Sequence, residues 1–73
     1  MNKFEKFIGL KGEAKVHYMS NDYQIVVPGG FVTCAVTKQP IPLNELKYWD
    51  VEQQEPYLNA NIALQRYREI EGK

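Results

Sequence analysis

The placement of four prolines constrains this chain more than any other feature. Pro28, followed by Gly29 and Gly30, sets a reversal, because proline fixes one φ and the glycines accept positive φ. Pro40 and Pro42 remove backbone donors and hold Gln39 and Ile41 extended. Thr37 to Leu46 (TKQPIPLNEL) therefore reads as a structured loop, not as regular helix or central strand. Asp50 is placed to cap a helix, with Glu52 and Gln53 in its first turn and Gln53 at the capping-box position. Pro56 lies beyond that first turn, so either a short helix ends near Glu55 and a second starts at Pro56, or one helix runs through with a kink.

Between these breaks the period of the apolar residues is two. Val16 and Tyr18 alternate with Lys15, His17 and Met19; Ser20-Asn21-Asp22 is a turn cluster; Tyr23, Ile25 and Val27 alternate with Gln24 and Val26. That pattern predicts a hairpin, and the β-rich run Phe31 to Val36 (FVTCAV) supplies a third strand. Since a lone hairpin is marginal in water, residues 14–36 are expected to form one three-stranded antiparallel meander. After Pro56 the period lengthens: Tyr57, Ala60, Ala63, Leu64, Tyr67 and Ile70 recur at helical spacing until Gly72, and this stripe is expected to cover one face of the sheet. Near the start, Phe4, Phe7 and Ile8 share a helical face, with Asn2 placed to cap and Gly9 and Gly12 placed to stop the turn.

The resulting expectation is a single small α+β domain: an N-terminal arm or short helix over 1–13, a β-meander over 14–36, a proline-bearing loop over 37–49 and a helical segment over 50–71 packed on the sheet. With 73 residues, nearly every available apolar side chain must be buried for the chain to fold alone. A single cysteine, Cys34, excludes an internal disulfide and any multi-cysteine zinc site, and fits a reducing cytoplasm. The first fifteen residues have no continuous apolar region, and the longest apolar stretch, Ile25 to Val36, is broken by Pro28-Gly29-Gly30, so the chain reads as neither secreted nor membrane-spanning.

Charge narrows the function classes further. Nine acidic side chains balance nine basic ones, with a local excess of two bases over residues 1–15 and of two acids over residues 39–73. That is too weak a separation to track a phosphate backbone and argues against nucleic acid as the partner. For catalysis, His17 and Cys34 are the only imidazole and thiol, each mid-strand, where a free cysteine is ordinarily a small buried hydrophobe and a histidine a rim side chain. No nucleophile elbow, phosphate-cradling glycine loop or zinc-protease helix motif occurs, and Glu52 and Glu55, one helical turn apart, are explained as solvated acids of a first turn.

Metal requires convergence of one strand thiol (Cys34), one strand imidazole (His17) and carboxylates from Asp50, Glu52 or Glu55. Alternation opposes it: Cys34 shares its side of the third strand with Val32 and Val36, while His17 shares its side with Lys15 and Met19. A fold without metal or cofactor is expected. The aromatic pair Tyr48-Trp49 is the most informative feature for binding: successive loop residues point different ways, so one ring plugs the core while the other stays partly exposed as an anchor, with Gln53, Gln54 and Glu55 as a polar rim.

The stretches GEAKVHY, NDYQIVVPGGFV and CAVTKQPIPLNELKYWDVEQQEPY resemble a small family of uncharacterised bacterial proteins, mainly alphaproteobacterial, catalogued as a domain of unknown function. The likeness spans residues 12–60, with Lys38 where glycine is expected and Pro56 where alanine is expected. A weaker similarity, Cys34-x-x-Thr37-x-x-x-Ile41-x-x-x-x-Leu46 followed by a helix, is to the zinc knuckle of small RNA-polymerase-binding regulators. Thr37, Glu55 and Leu58 stand at three of the four metal positions, so the similarity implies a zinc-ribbon-like fold without its metal, stapled by Trp49 and Tyr57.

The functional expectation is a non-enzymatic protein-binding or adaptor module of the bacterial cytoplasm, its contact face built from Tyr48, Trp49, Gln53 and Glu55. The alternative is a nucleic-acid or transcription-associated module derived from a zinc knuckle. Neither the partner protein nor the oligomeric state is readable from the sequence.

Overall fold

The computed structural model describes residues 12–72, so the arm expected over residues 1–13 falls outside the described residues except for Gly12 and Glu13. Along the described chain lie β1 (Lys15–Tyr18), β2 (Tyr23–Val27), β3 (Phe31–Thr33), β4 (Pro40–Pro42), a 3-10 turn (Leu43–Glu45), β5 (Tyr48–Asp50), β6 (Glu55–Tyr57) and the helix α1 (Ala60–Glu71). The class is α+β. The first hairpin forms where the period-two pattern and the turn cluster put it, with Val16 opposite Ile25, His17 opposite Gln24 and Tyr18 opposite Tyr23, and with a register shift at the Lys15–Val16 step that leaves Val26 as the extra, bulged residue of β2.

The three-stranded meander does not form. The strands pair two by two, β1 with β2, β3 with β4 and β5 with β6, all antiparallel. The chain does reverse at Pro28-Gly29-Gly30, but β3 leaves the hairpin at that point. Gly29 lies so close to Ala14 that a Cβ on it would collide with the Ala14 backbone. That close approach lets the Ala14 N–H donate to the Phe31 carbonyl (2.7 Å) and the Gly30 N–H to the Gly12 carbonyl (2.9 Å), and Glu13 bridges Phe31 in parallel. The segment ahead of β1 therefore occupies one edge of β3, and β4 takes the other.

The proline-bearing segment, expected to be loop over 37–49, contains β4, and its hydrogen bonds explain why two prolines are tolerated. Cys34 N–H donates to the Gln39 carbonyl (2.9 Å) and Leu43 N–H to the Gly30 carbonyl (3.2 Å). Bonded pairs alternate along an antiparallel ladder, so in the register Phe31–Pro42, Val32–Ile41, Thr33–Pro40 it is Val32 and Ile41 that exchange bonds. The missing donors of Pro40 and Pro42 thus face away from β3, the one side of an edge strand on which proline costs nothing.

The helix expected from Asp50 to Glu71 begins only at Ala60. Asp50 does accept from two backbone donors, Glu52 N–H (2.8 Å) and Gln53 N–H (3.0 Å), as an N-cap would. Gln54 then adopts a left-handed φ of 55° and turns the chain back into β6, so the caps close a hairpin turn rather than start a helix. Pro56 is buried within β6 and kinks nothing. The true cap is Asn59, whose Oδ1 accepts from Ile62 N–H at 2.9 Å, and Gly72 closes the other end with its N–H on the Arg68 carbonyl.

The helix also does not cover a sheet as expected. None of its residues is buried; it rests against β5 and β6, with Ile62 reaching the core while Leu64 and Tyr67 face solvent. The core itself gathers Ala14, Tyr18, Val32, Cys34, Ile41 and Leu46, ringed by Val16, Tyr23, Val36, Leu43, Trp49 and Leu58. No helix among the described residues is long and apolar enough to cross a membrane.

Candidate functional site

The four residues expected to form a contact face divide into two internal staples and two surface side chains. Trp49 is half-buried: its Nε1–H donates to the Met19 carbonyl at 2.8 Å, and its ring lies 5.7 Å from Tyr18, tilted, and 5.7 Å from Tyr23, edge-on. This is the preferred packing of aromatic quadrupoles, and it pins the β1–β2 turn to β5. Tyr48, its neighbour, is 40% exposed, the division of one ring inward and one outward that successive residues of an extended segment produce.

Glu55 is spent on holding the helix. Its carboxylate accepts from Arg66 Nε (3.1 Å) and Nη2 (3.2 Å) and from the Tyr57 hydroxyl (2.9 Å), a bidentate fork with a third donor. Burial, and then the bond and charge of Glu55, push the Tyr57 phenol well above its ordinary range, and Glu55 likewise raises Arg66. Gln53 is exposed in the β5–β6 turn, at the rim of an open depression shared with Arg66, Glu69 and Ile70. Gln54, assigned only to a polar rim by the sequence, acts instead as a surrogate strand. Its Oε1 accepts from Tyr18 N–H (2.9 Å), and its Nε2 donates to the carbonyls of Tyr18 (2.8 Å) and Val51 (2.7 Å).

The thiol and the imidazole lie on different sides of the fold. Cys34 is fully buried in the core, whereas His17 is exposed with Lys15 and Met19 on the face of β1 opposite Tyr18. Burial alone would push the Cys34 thiol up, but hydrogen bonds from the Thr37 side chain and from the backbone of Thr37, Val36 and Leu58 outweigh it and bring it below its ordinary value. Thr37 N–H approaches the sulfur at 3.4 Å, and Lys38 follows with a left-handed φ of 65°. The turn after Thr37 is therefore made with lysine where glycine is expected, at the cost of αL strain in a non-glycine residue. Among the described residues no group of three or more His, Cys, Asp and Glu side chains converges.

The exposed surface that sequence reasoning missed is β2. Ile25, Val26 and Val27 are 47%, 64% and 43% exposed, three consecutive apolar side chains on a strand with one paired edge among the described residues. The signal was present: with Val26 apolar, the alternation fails at 25–27, and a strand apolar on both sides is ordinarily enclosed on both sides. Here nothing among the described residues encloses it.

A family model described as "Uncharacterized protein conserved in bacteria (DUF2093)" matches residues 25–66. The chain belongs to this family. Its matched segment begins inside β2, takes in β3 to β6 and ends midway along α1. No curated protein and no solved structure matches the chain.

Proposed function

We propose that this protein is a non-enzymatic protein-binding or adaptor module of the bacterial cytoplasm, and that the outer edge of β2, not the Tyr48–Glu55 face, is its principal contact surface. One observation carries the reading: an uncharged strand with three adjacent exposed apolar residues and, among the described residues, an unpaired edge. Monomeric proteins blunt such edges with lysine, proline or a covering element, because an open row of N–H and C=O groups beside apolar side chains is a template for another strand. Within Tyr23–Val27 there is neither a charge nor a proline, and the bulge at Val26 is the one device that interrupts the edge. Tyr48 and Gln53 supply a secondary polar surface, while Trp49 and Glu55 act inside the fold.

A photo-crosslinking residue at Val26, introduced into the full chain in its own bacterium, should give a protein adduct that the same residue at exposed Gln65 does not give. No adduct at position 26, or equal adducts at both positions, would contradict this reading. The second reading, a nucleic-acid or transcription-associated module on a knuckle without metal, draws support from the Cys34–Thr37 turn, where an N–H meets the sulfur and the residue after it is left-handed. Binding to nucleic acid that falls steeply with salt would favour it.

A further inference from the structure

The first hairpin is held at its base and at its tip by different means. At the base, Ala14 N–H on the Phe31 carbonyl (2.7 Å) and Gly30 N–H on the Gly12 carbonyl (2.9 Å) tie both ends of the hairpin to β3. At the tip the grip comes from two side chains of the β5–β6 hairpin, and both reach backbone. The Gln54 amide takes the N–H and the carbonyl of Tyr18 (2.9 and 2.8 Å), and the Trp49 indole N–H takes the Met19 carbonyl (2.8 Å). Between base and tip, among the described residues, the Tyr23 hydroxyl alone reaches across, at a long 3.5 Å from the Leu43 carbonyl.

The hairpin keeps its own ladder whether or not the tip is held. Met19 N–H on the Asp22 carbonyl (2.8 Å) closes the turn, so Tyr18–Tyr23 is a non-hydrogen-bonded pair, His17–Gln24 exchanges bonds, and the Ile25 N–H points outward. The remaining elements pack on one another, β3 against β6 and α1 against β5 and β6, and neither β1 nor β2 shares closely in that packing. Val32, Cys34, Ile41 and Leu46, with Leu58 and Ile62 beside them, supply apolar packing that lies outside the hairpin. Gln54 holds its grip from a left-handed backbone, φ 55°, which a residue with a Cβ adopts only against a cost.

We propose that residues 16–27 form a flap that opens as one unit about its base while β3 to β6 and α1 stay folded, and that the Gln54 amide is its latch. Opening breaks the bonds of Gln54 to Tyr18 and of Trp49 to Met19 and lets Gln54 leave the left-handed region. It presents the Tyr18 and Trp49 rings, packed together when the flap is shut, beside the exposed side chains of β2. The hinge falls where the ladder is already irregular, at the Lys15–Val16 step and the bulged Val26. Such opening is independent of what β2 binds.

Amide hydrogen exchange of the full chain, followed by NMR across low urea concentrations, tests the flap. The His17, Met19 and Gln24 amides should exchange as one group, at least about tenfold faster than Val32, Cys34 and Ile41 and with a shallower dependence on urea, because opening exposes less surface than unfolding. Gln54→Gly, which keeps the left-handed turn and deletes the amide, should speed both groups by about tenfold, since its bonds are absent from the open and the unfolded states alike. Ile62→Ala, which thins the packing of α1, should speed Val32, Cys34 and Ile41 and leave the hairpin group unchanged. One rate and one urea dependence for both groups in the wild-type chain overturns the flap, whether or not the variants fold. A hairpin group that accelerates with Ile62→Ala overturns it as well, and a hairpin group untouched by Gln54→Gly overturns the latch.

Discussion

Ile41 and Ile25 each sit at the centre of a short antiparallel strand, yet the first is 1% exposed and the second 47%. Their strands differ in what surrounds them. β4 is an edge strand sealed by its own prolines on one side and backed by Val32, Cys34 and Leu46 on the other. β2 reaches past the core beyond Tyr23, carries no proline, and among the described residues has no helix over its apolar side chains. Burial in a chain this short is thus decided by which strand the few covering elements reach, not by how apolar the strand is. The uncovered strand becomes the natural candidate for recognition.

The sharpest break of this contrast would come from stability. Ile41→Ala should cost about 2–5 kcal/mol, as truncation of a fully buried aliphatic does, whereas Ile25→Ala, measured by urea unfolding at high dilution, should stay within about 0.5 kcal/mol. Equal losses would mean that Ile25 is packed as tightly as Ile41.

The sequence showed the open hairpin better than the closed half. Period-two alternation and Ser20-Asn21-Asp22 located β1 and β2, because a hairpin is specified by local chemistry. Tyr48 and Trp49 divided outward and inward as expected, and Cys34 went to the core with Val32. What was not legible depended on distant partners. Pro40 and Pro42 can belong to a strand only if their missing donors face away from the neighbour, which requires knowing the neighbour. Asp50 makes the same two backbone bonds at a helix start and in a hairpin turn, and the outcome lies with Gln54, whose left-handed backbone is held by bonds to Tyr18, 36 residues away. Trp49 and Glu55 illustrate the same limit: each has an internal partner, Met19 and Arg66, that spacing cannot reveal.

Alkaline titration locates where closure ends along the first hairpin. Burial, with Glu13 and Tyr23 nearby, pushes the Tyr18 phenol up to about 12. Unfolded tyrosine ionises near pH 10, so above that pH the folded state retains a proton the unfolded state loses. Stability should be complete below pH 10 and fall by about 1.4 kcal/mol per pH unit toward pH 12 for this one phenol. Tyr18→Phe should remove this share of the slope in urea midpoints taken across the window, leaving what the likewise raised Tyr57 contributes. An unchanged slope would show that Tyr18 is not sealed.

Two left-handed residues within the closed half separate backbone strain from side-chain bonding. Gln54→Gly relieves αL strain but deletes three hydrogen bonds, and should destabilise by about 1–2 kcal/mol. Lys38→Gly relieves the same strain at an exposed position and should stabilise by about 0.5–1 kcal/mol. Thermal unfolding of both variants gives the sign, and a gain at Gln54 would mean that its bonds to Tyr18 do not close the fold.

The most direct measurement is amide hydrogen exchange at two adjacent residues of β2. Gln24 N–H points into the hairpin and Ile25 N–H points out of it. At high dilution Gln24 should be protected and Ile25 should exchange close to the rate of an unstructured amide. Strong protection of Ile25 at dilution would contradict an open edge.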